Sequence, residues 1–517
     1  MSFIWFGMMF FMFLFYIKNN ISGLLDSDMS SEMILAEQLA KEGKIMSDQW
    51  YYSTEIRVLS TQLIFTPLFQ IFGAGYSWHK IRVLGTILCV IVLMISFYLL
   101  CRVLKIRNIP YYAAFLLLPV SYEYFFFMFC NLLYLPYVVI TFLTLGIVLD
   151  GTRRSFKNRR TAIELLLLFG LSVGAGAGGF RELLVCYLPL FLAGCILLWA
   201  EKVNEKHKWC IWIGTAFLGA CMGLIINITI LSQKYSFWDF TGIIVQGFSF
   251  SKLEQAVNAM LVNMGFQSYV ELMSPEVLFK EVFFCGWFLL VCCAVVNILK
   301  KKEIYTLEER FVTIFSLCNA VLMLGIYSFT DMKFEIRYFT LVTFMAIPLV
   351  AIYLNKRKRN LVYDGILIGL VIGSLGISAS YYENNTVNWA HPNEEFSEIS
   401  RLIVNYGYQN GYAGYWQANV LTEISDGKIE VWDYGDTSEG LQIEKMNQWL
   451  QLKSHVEQPP TGKVFVLLTS EQSKNTKWKV KPEDSRIIYQ SDDFILYGFD
   501  SYEDIKANLK RSKKNIL

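Results

Sequence analysis

Eleven long apolar segments constrain the fold of this chain more than any other feature. A helix needs about 20 apolar residues to cross the roughly 30 Å hydrocarbon core of a bilayer. The segments that approach this length are 2–18, 82–103, 109–127, 130–149, 162–179, 183–200, 209–231, 279–299, 311–330, 338–354 and 361–381. Only 17% of the residues are charged, against about 25% in an average soluble domain. The sequence therefore predicts a polytopic α-helical membrane protein with about eleven transmembrane helices.

Two apolar segments near the N-terminus have to be assigned either as membrane spans or as something else. The first span is predicted to be an uncleaved anchor, because no basic region precedes its apolar run and no small-residue cleavage site follows it. A further apolar stretch at 63–73 is rejected as a span because it is short and is interrupted by Pro67 and Gln70. The transmembrane part is thus predicted to cover residues 1–381.

Short basic loops give the orientation. Clusters of Lys and Arg follow the second, fourth, sixth, eighth and tenth spans, as in "GTRRSFKNRR" and "NKRKR". Because cytoplasmic loops carry an excess of Lys and Arg, all these clusters and the N-terminus are predicted to be cytoplasmic. A long first loop (19–81), a second loop (232–278) and the region 382–517 are then extracytoplasmic.

Residues 382–517 are predicted to form an extracytoplasmic α/β domain. They contain an amphipathic "EEFSEISRLIVNYG", a strand-like "KVFVLLTS" and a hairpin-like "RIIYQSDDFILYGFD". The stretch "GYAGYWQANVLTE" presents Tyr412, Tyr415 and Trp416, whose rings either stack on sugars or, as the pattern favours, form the domain core. All eleven cysteines precede this domain, so it is not a disulfide scaffold. Basic residues are dispersed, and no nucleic-acid partner is expected.

An acidic pair, Asp26 and Asp28, directly follows the first span. Ser27 or Asp28 suits a helix N-cap, and Gly43 suits the position just past the helix end. Glu32 lies one turn after Asp28 on the same face, so three carboxylates are predicted to gather at one helix start. Local pattern alone favours a simple capping role for Asp28 over a catalytic one.

The layout of residues 1–380 resembles the GT-C superfamily of membrane glycosyltransferases, which take a sugar from a polyprenyl-phosphate carrier. In the mannosyltransferase and aminoarabinose-transferase branch, a catalytic Asp opens a surface helix in the first external loop. Asp28, Ala36 and Gly43 match the spacing of that motif, whereas Met29 stands where a second acid usually lies.

The resemblance implies an inverting glycosyltransferase at the outer face of a bacterial plasma membrane, with Asp28 as the general base for the acceptor hydroxyl. Asp26 and Glu32 could compensate for the missing second acid. Alternatively, Asp26 and Asp28 form a metal-assisted Asp-x-Asp, and only then would a divalent cation, Mg²⁺ or Mn²⁺, be required.

Three arginines are candidates to bind the donor phosphate: Arg181, Arg337 and Arg57. Arg181 follows a glycine-rich stretch that would let a carrier approach closely, and Arg337 precedes Tyr338 at the start of the tenth span. Each arginine has a structural alternative, either snorkelling or pairing with a neighbouring glutamate. Glu123, at the outer end of the third span, either joins the acidic site or marks the membrane interface.

The implied partners are a polyprenyl-phosphate-linked sugar, a glycan, lipid or protein acceptor, and the bilayer itself. Two other functions stay open, a transporter or flippase for a polyprenyl-linked glycan and a catalytically silent assembly factor. Transporters keep ionisable residues near the midplane and often show internal repeats. Here the charges gather at the outer span ends and no repeat is visible, which favours the enzyme. The sugar and the acceptor are not fixed by the sequence.

Overall fold

The structure is a computed structural model with a helical part followed by an α/β part. It describes residues 2–56, 58–73, 75–238, 243–267, 274–333, 335–388, 393–434, 440–475 and 481–516, without the side chains of 386–388 and 510–516. We refer to residues 393–516 as the C-terminal region.

The helical part consists mainly of long apolar helices. Up to residue 200 these are α1 (Ser2–Asn20), α2 (Ser27–Glu42), α3 (Gln62–Phe72), α4 (Trp78–Val103), α5 (Ile109–Ala113), α6 (Tyr122–Phe125), α7 (Leu135–Thr152), α8 (Arg159–Gly176), α9 (Phe180–Glu182) and α10 (Leu188–Ala200). They are followed by α11 (Lys206–Ile226), α12 (Ser232–Lys234), α13 (Phe250–Asn263), α14 (Pro275–Lys300), α15 (Leu307–Phe329), α16 (Thr340–Asn355) and α17 (Leu361–Asn388). Tighter or wider helical turns extend several of them, at Ile21–Leu24, Ala114–Leu117, Phe126–Cys130, Leu183–Tyr187, Asn227–Leu231 and Ile336–Phe339.

The number of spans agrees closely with the prediction. In the part of the chain that the structure describes, nine helices are long and apolar enough to cross a membrane, or ten if one bent pair counts as a span. All nine coincide with predicted spans. The bent pair, Ile109–Leu117 and Tyr122–Cys130, turns by 106° where a single straight span was predicted at 109–127. The chain is therefore a multi-pass membrane protein, and the predicted fold class is confirmed.

The remaining predicted span, 162–179, forms α8, whose first turns carry three charged residues, Arg159, Arg160 and Glu164. Its apolar half packs closely on α11. A Cβ added at Gly176 would lie 2.0 Å from the Ala220 carbonyl oxygen, and one added at Gly223 would lie 2.1 Å from the Val173 carbonyl oxygen. Small residues thus let the two backbones touch, as at other membrane helix interfaces.

The rejected apolar stretch at 63–73 forms α3, which has 11 residues and contains Pro67. At about 1.5 Å of rise per residue, a helix of this length is too short to cross the bilayer. Its inner face is buried against α2 and α4, with Phe65 and Phe69 nearly inaccessible. The first loop is therefore a folded layer on one end of the helices.

The C-terminal region contains a mixed five-stranded sheet in the order β3-β2-β5-β7-β6. Its elements are α18 (Glu394–Asn405), β2 (Asn410–Ala413), α19 (Tyr415–Ile424), β3 (Glu430–Asp433), β4 (Gln451–Leu452), α20 (Lys453–Glu457), β5 (Val464–Thr469), α21 (Ser470–Lys474), β6 (Ile487–Gln490), β7 (Phe494–Phe499) and α22 (Tyr502–Ile516). Strands β3 and β5 flank β2 in parallel, whereas β7 pairs antiparallel with β5 and β6. The amphipathic helix, the strand and the hairpin expected from the sequence form α18, β5 and β6–β7.

The C-terminal region packs directly on the first loop. Strand β1 (Trp50–Tyr51) pairs antiparallel with β4, and the backbone amide of Trp78 donates to Asp426 at 2.7 Å. Arg82, near the start of α4, forms a buried ion pair with Glu423 of α19, with Nε 2.5 Å from Oε1 and Nη2 2.7 Å from Oε2. The Arg82 Nη2 also donates to the Met29 carbonyl of α2 at 2.8 Å. One arginine thus joins α2, α4 and α19.

We expect Glu423→Gln to lower the free energy of unfolding of the docked C-terminal region by about 3–5 kcal/mol, because the buried Arg82 charge would lose its counter-ion. Urea-dependent proteolysis of the purified protein measures this quantity. Glu37→Gln is the matched control, since its partner Lys41 is 60% exposed and such surface pairs contribute at most about 1 kcal/mol. Equal stability of the two variants would contradict the prediction.

Candidate functional site

Asp26 caps the helix that opens the first loop. Its backbone is extended, with φ −118° and ψ 175°, and its carboxylate accepts a hydrogen bond from the Met29 amide at 2.7 Å. The helix ends at Gly43, whose φ of 65° is the left-handed conformation that glycine adopts readily. The predicted cap at Ser27 or Asp28 is wrong by one or two residues, because the extended backbone that a cap requires occurs one residue earlier.

Asp28 is consequently free of the capping role and lies in the first turn of α2. Its carboxylate accepts a hydrogen bond from the hydroxyl of Tyr415, at the start of α19. The neighbouring Ser27 hydroxyl donates to the Tyr415 carbonyl at 2.5 Å. Burial, together with the adjacent Asp28 carboxylate, raises the pKa of Tyr415. The phenol therefore stays protonated and acts as a permanent donor to Asp28.

Asp26 has a more enclosed environment than a typical surface carboxylate. Burial raises the pKa of Asp26 to about 6, and the hydrogen bond from the Met29 amide partly opposes this shift. Asp28 and Arg82 also act on it electrostatically, in opposite directions. Near neutral pH the side chain is mostly ionised, and it gains a proton when the pH falls below about 6.

Glu32 lies one turn further along α2, as predicted. Its Oε2 accepts a hydrogen bond from the Gln62 side chain at 2.7 Å, and the same amide group donates to the Glu32 backbone carbonyl at 2.9 Å. Glu32 lines a small cavity of about 30 Å³ that Glu55 also lines. The carboxylates of the first loop are thus arranged along one side of α2 rather than gathered at a single point.

Arg181 lies in a cage of tyrosines. Its guanidinium carbon is 5.6, 5.7 and 5.3 Å from the ring centroids of Tyr134, Tyr137 and Tyr338. Its Nε is 3.2 Å from Glu55 Oε1, and the Tyr137 hydroxyl donates to Glu55 Oε2 at 2.8 Å. Pairing with the neighbour Glu182, one of the alternatives considered for Arg181, is not the ion pair that the structure has, since Glu55 of the first loop matches the charge.

This cage lines a cavity of about 390 Å³. The rest of the lining is largely apolar and includes Met323, Ile326 and Leu341. The cavity lies where α7, α9 and α16 begin and where α11 and α15 end. The basic clusters lie in the loops at the other ends of these helices. The cavity is therefore on the same side as the first loop.

Arg337 occupies a separate position near the cage. Its guanidinium carbon is 4.5 Å from the Phe127 ring centroid, and its Nη2 is 3.6 Å from Glu335 Oε2. The Nε of Arg337 is buried and has no hydrogen-bond partner among the described residues. Glu123 lies within electrostatic range of Arg337. This position decides neither of the two alternatives for Glu123, the acidic site or the membrane interface, and both stay predictions.

Several of the predicted site residues lie in two places. Asp26 and Asp28 lie at the start of α2, where Tyr415 joins them, whereas Arg181 and Tyr338 line the tyrosine cavity. Glu55 lies between these places, because it lines both that cavity and the small cavity beside Glu32. Arg57 lies outside the described residues.

No group of three or more His, Cys, Asp or Glu side chains converges to hold a metal ion in the described parts of the chain. Asp26 is engaged by the Met29 amide and Asp28 by Tyr415. The donor set at this place is two carboxylates, which fits Mg²⁺ only if water or a substrate phosphate completes its octahedral shell.

Three residues of the site were not identified as such from the sequence. Tyr415 was considered only as an aromatic, and Glu55 only as a partner of Arg57. Tyr134, in "LLYLPY" near the start of the predicted fourth span, resembles an interfacial aromatic anchor. Each acquires its position through contacts with residues far away in the chain, which the local pattern does not reveal.

No protein-family model matches the sequence, and no curated protein matches it. The fold matches the crystal structure of ArnT from Cupriavidus metallidurans bound to undecaprenyl phosphate, with a TM-score of 0.60, 9% identity and coverage of 96% of this chain and 97% of that chain. The apo ArnT structure matches with a TM-score of 0.58 and 10% identity over 92% and 93% of the two chains. The chain thus shares the fold of ArnT over nearly its whole length, and the predicted polytopic helical fold with a C-terminal α/β region is confirmed.

We expect Asp26→Ala to lower the free energy of unfolding by about 1 kcal/mol, because the Met29 amide loses its capping acceptor. Asp26→Asn is the matched variant and should be close to neutral, since asparagine caps helices about as well as aspartate. Thermal unfolding in one detergent compares the two. Equal destabilisation by Asn and Ala would show that the charge, rather than the cap, is what Asp26 contributes.

Proposed function

We propose that this protein is a glycosyltransferase that moves a sugar from a polyprenyl-phosphate carrier to an acceptor at the outer face of the plasma membrane. The observation that carries the proposal is the Arg181 cage, a cation held by aromatic rings in an apolar cavity at one end of the spanning helices. An apolar cavity with an arginine in its described lining suits a lipid that ends in a phosphate. The shared fold with ArnT, which was crystallised with undecaprenyl phosphate, supports the same donor class.

In this proposal Arg181 and Tyr338 bind the donor phosphate. Arg181 has five N–H donors, of which Nε faces Glu55 and Nη1 faces the Tyr134 hydroxyl at 3.3 Å. The phosphate would accept hydrogen bonds from the remaining N–H groups of Arg181. The low dielectric of the apolar lining would strengthen this charge-assisted interaction. As the glycosidic bond breaks, negative charge grows on the leaving phosphate, and a fixed cation stabilises that charge without reorganisation.

Asp28 is proposed as the general base that takes the proton of the acceptor hydroxyl. The Tyr415 hydroxyl fixes the orientation of the carboxylate, which favours one geometry for proton transfer. Asp26 then supports the helix start, and Glu32 and Glu55 continue the row of carboxylates towards the phosphate site. Attack from the side opposite the leaving phosphate would make the reaction inverting.

The proposed orientation places the N-terminus and the basic clusters in the cytoplasm and the C-terminal region outside. A metal-assisted version of the reaction would hold Mg²⁺ or Mn²⁺ between Asp26 and Asp28, where the ion would neutralise phosphate charge. The capping role of Asp26 favours the version in which Asp28 acts alone.

We expect Arg181→Gln to weaken the binding of undecaprenyl phosphate about tenfold or more, because a charge-assisted contact contributes roughly 1.5–3 kcal/mol. Arg337→Gln should weaken it as well if Arg337 also contacts the phosphate. Arg160→Gln, at the start of α8, removes an exposed charge and serves as the matched control. Isothermal titration in lipid nanodiscs gives the affinities. Unchanged affinity in both cavity-side variants would remove the phosphate-binding role.

We expect Asp28→Asn to reduce sugar transfer by about 10²–10⁴-fold while the protein still folds, which is the usual scale for the loss of a general base. Tyr415→Phe should reduce transfer less, since the carboxylate remains but is less firmly held. Membrane extracts supplied with a radiolabelled polyprenyl-phosphate sugar measure the transfer.

The same transfer assay also tests whether the reaction depends on a metal ion. If Asp28 acts alone, Asp26→Asn is mild and a chelator has no effect, whereas an ion bridging the pair makes both treatments severe. A fully active Asp28→Asn protein would end the proposed role of Asp28.

A further inference from the structure

We propose that a crevice in the C-terminal region binds the acceptor, and that this acceptor is an uncharged carbohydrate. The inference rests on the proposed glycosyltransferase function and adds the acceptor site to it. The crevice has a volume of about 630 Å³ and includes Tyr415, Trp416, Gln417, Trp449 and Gln472 in its lining.

The position of the crevice follows from the strand order. The chain leaves β2 through α19 to β3 on one side of β2, and later reaches β5 on the other side. Both neighbours are parallel to β2. In open α/β sheets, ligands bind outside the carboxyl ends of the strands where the order reverses in this way. Gly414 and Thr469, at the ends of β2 and β5, line the crevice.

Three polar groups converge on one point beside Gly414. A Cβ at this glycine would lie 3.1 Å from Gln417 Oε1, 3.6 Å from Gln472 Nε2 and 3.7 Å from the Tyr434 hydroxyl. Gln472 is held in place because its Oε1 accepts a hydrogen bond from the Thr469 amide at 3.0 Å. The absence of a side chain at Gly414 leaves room for a small hydroxyl-bearing group between these donors and acceptors.

Aromatic rings form the other part of the crevice. Trp416 is 60% exposed, which is unusual for the residue type with the largest apolar surface. Its ring centroid lies 5.1 Å from that of Tyr415 at an interplanar angle of 73°. The C–H groups of a sugar ring pack on the electron-rich face of an aromatic ring, while its hydroxyls need amides such as those beside Gly414.

The charge of the lining restricts the ligand class. Glu471 is the one charged residue among the lining residues that the structure describes. Among these described residues an anionic ligand would find no counter-ion, in contrast to the Arg181 cavity, so the crevice suits an uncharged sugar rather than a phosphate. Asn447, also in the lining, is held by its hydrogen bond to the buried Asp433 at 3.0 Å.

Tyr415 connects the crevice to the proposed base. Its ring lines the crevice, and its hydroxyl donates to Asp28. A sugar bound in the crevice would therefore contact the same tyrosine whose hydroxyl donates to Asp28, the proposed base. Because Tyr415 both lines the crevice and contacts the proposed base, we assign the crevice to the acceptor rather than to an unrelated ligand.

Saturation-transfer NMR on the full chain in nanodiscs tests the assignment, with methyl glycosides of glucose, galactose, mannose and N-acetylglucosamine as probes. We expect at least one probe to bind, and Trp416→Ala and Gly414→Ala each to weaken its binding about tenfold, the effect of losing one or two good contacts. Trp199→Ala, which removes a tryptophan that is 88% exposed elsewhere, is the control. Undecaprenyl phosphate binding should stay unchanged in all three variants.

The outcomes separate this inference from the proposed function. Sugar binding that both crevice variants lose, with carrier binding intact, supports the acceptor site. No binding by any probe up to tens of millimolar, or equal binding by wild type and Trp416→Ala, overturns it. Trp416 is exposed, so that variant stays informative even if Gly414→Ala does not fold. Failure of the wild-type protein to bind undecaprenyl phosphate would instead contradict the proposed function.

Discussion

The ion pair between Arg82 and Glu423 holds together the parts from which the site is built. Both side chains are almost inaccessible, and Arg82 also binds the Met29 carbonyl. A buried charge is tolerated only with its partner and hydrogen bonds in place, so α2, α4 and α19 have one mutual arrangement. That arrangement brings Tyr415 to Asp28 across 387 residues of sequence. The C-terminal region is consequently part of the site.

Periodicity and length were sufficient to predict most of the long helices, together with α18, β5 and the β6–β7 hairpin, because burial on one face leaves a regular pattern in the sequence. The short strands β2, β3 and β4 were not predicted. Periodicity and length were not sufficient either for the bend between Ile109–Leu117 and Tyr122–Cys130, which lies inside the predicted span 109–127. Pro119 lies in that bend, and proline lacks the amide hydrogen that a continuing helix requires. A proline in an apolar span indicates a kink, but its angle depends on the surrounding helices.

The candidate site, too, could be predicted only in part from the sequence. The helix containing Asp28 was predicted from its spacing, and Gly43 ends it as expected. The cap was misassigned because Asp26, Ser27 and Asp28 are all good capping residues, and only the backbone geometry distinguishes them. The partners of Arg181 and Asp28 could not be predicted, since each comes from a distant segment. Among Tyr412, Tyr415 and Trp416, the first is fully buried, whereas the other two line the crevice.

The two cavities differ in the way that a transfer between a lipid donor and a polar acceptor requires. One is largely apolar and holds an arginine, and the other is polar, aromatic and without a cation in its described lining. In the proposed function, Arg181 would stabilise a phosphate in the first cavity, whereas the described lining of the second offers no cation, so the donor and the acceptor would occupy different places. Tyr415 and Asp28 adjoin the polar crevice, and Glu55 adjoins the apolar cavity. In the proposed reaction, Asp28 would take the acceptor proton beside the polar crevice, and Glu55 would adjoin the donor phosphate in the apolar cavity.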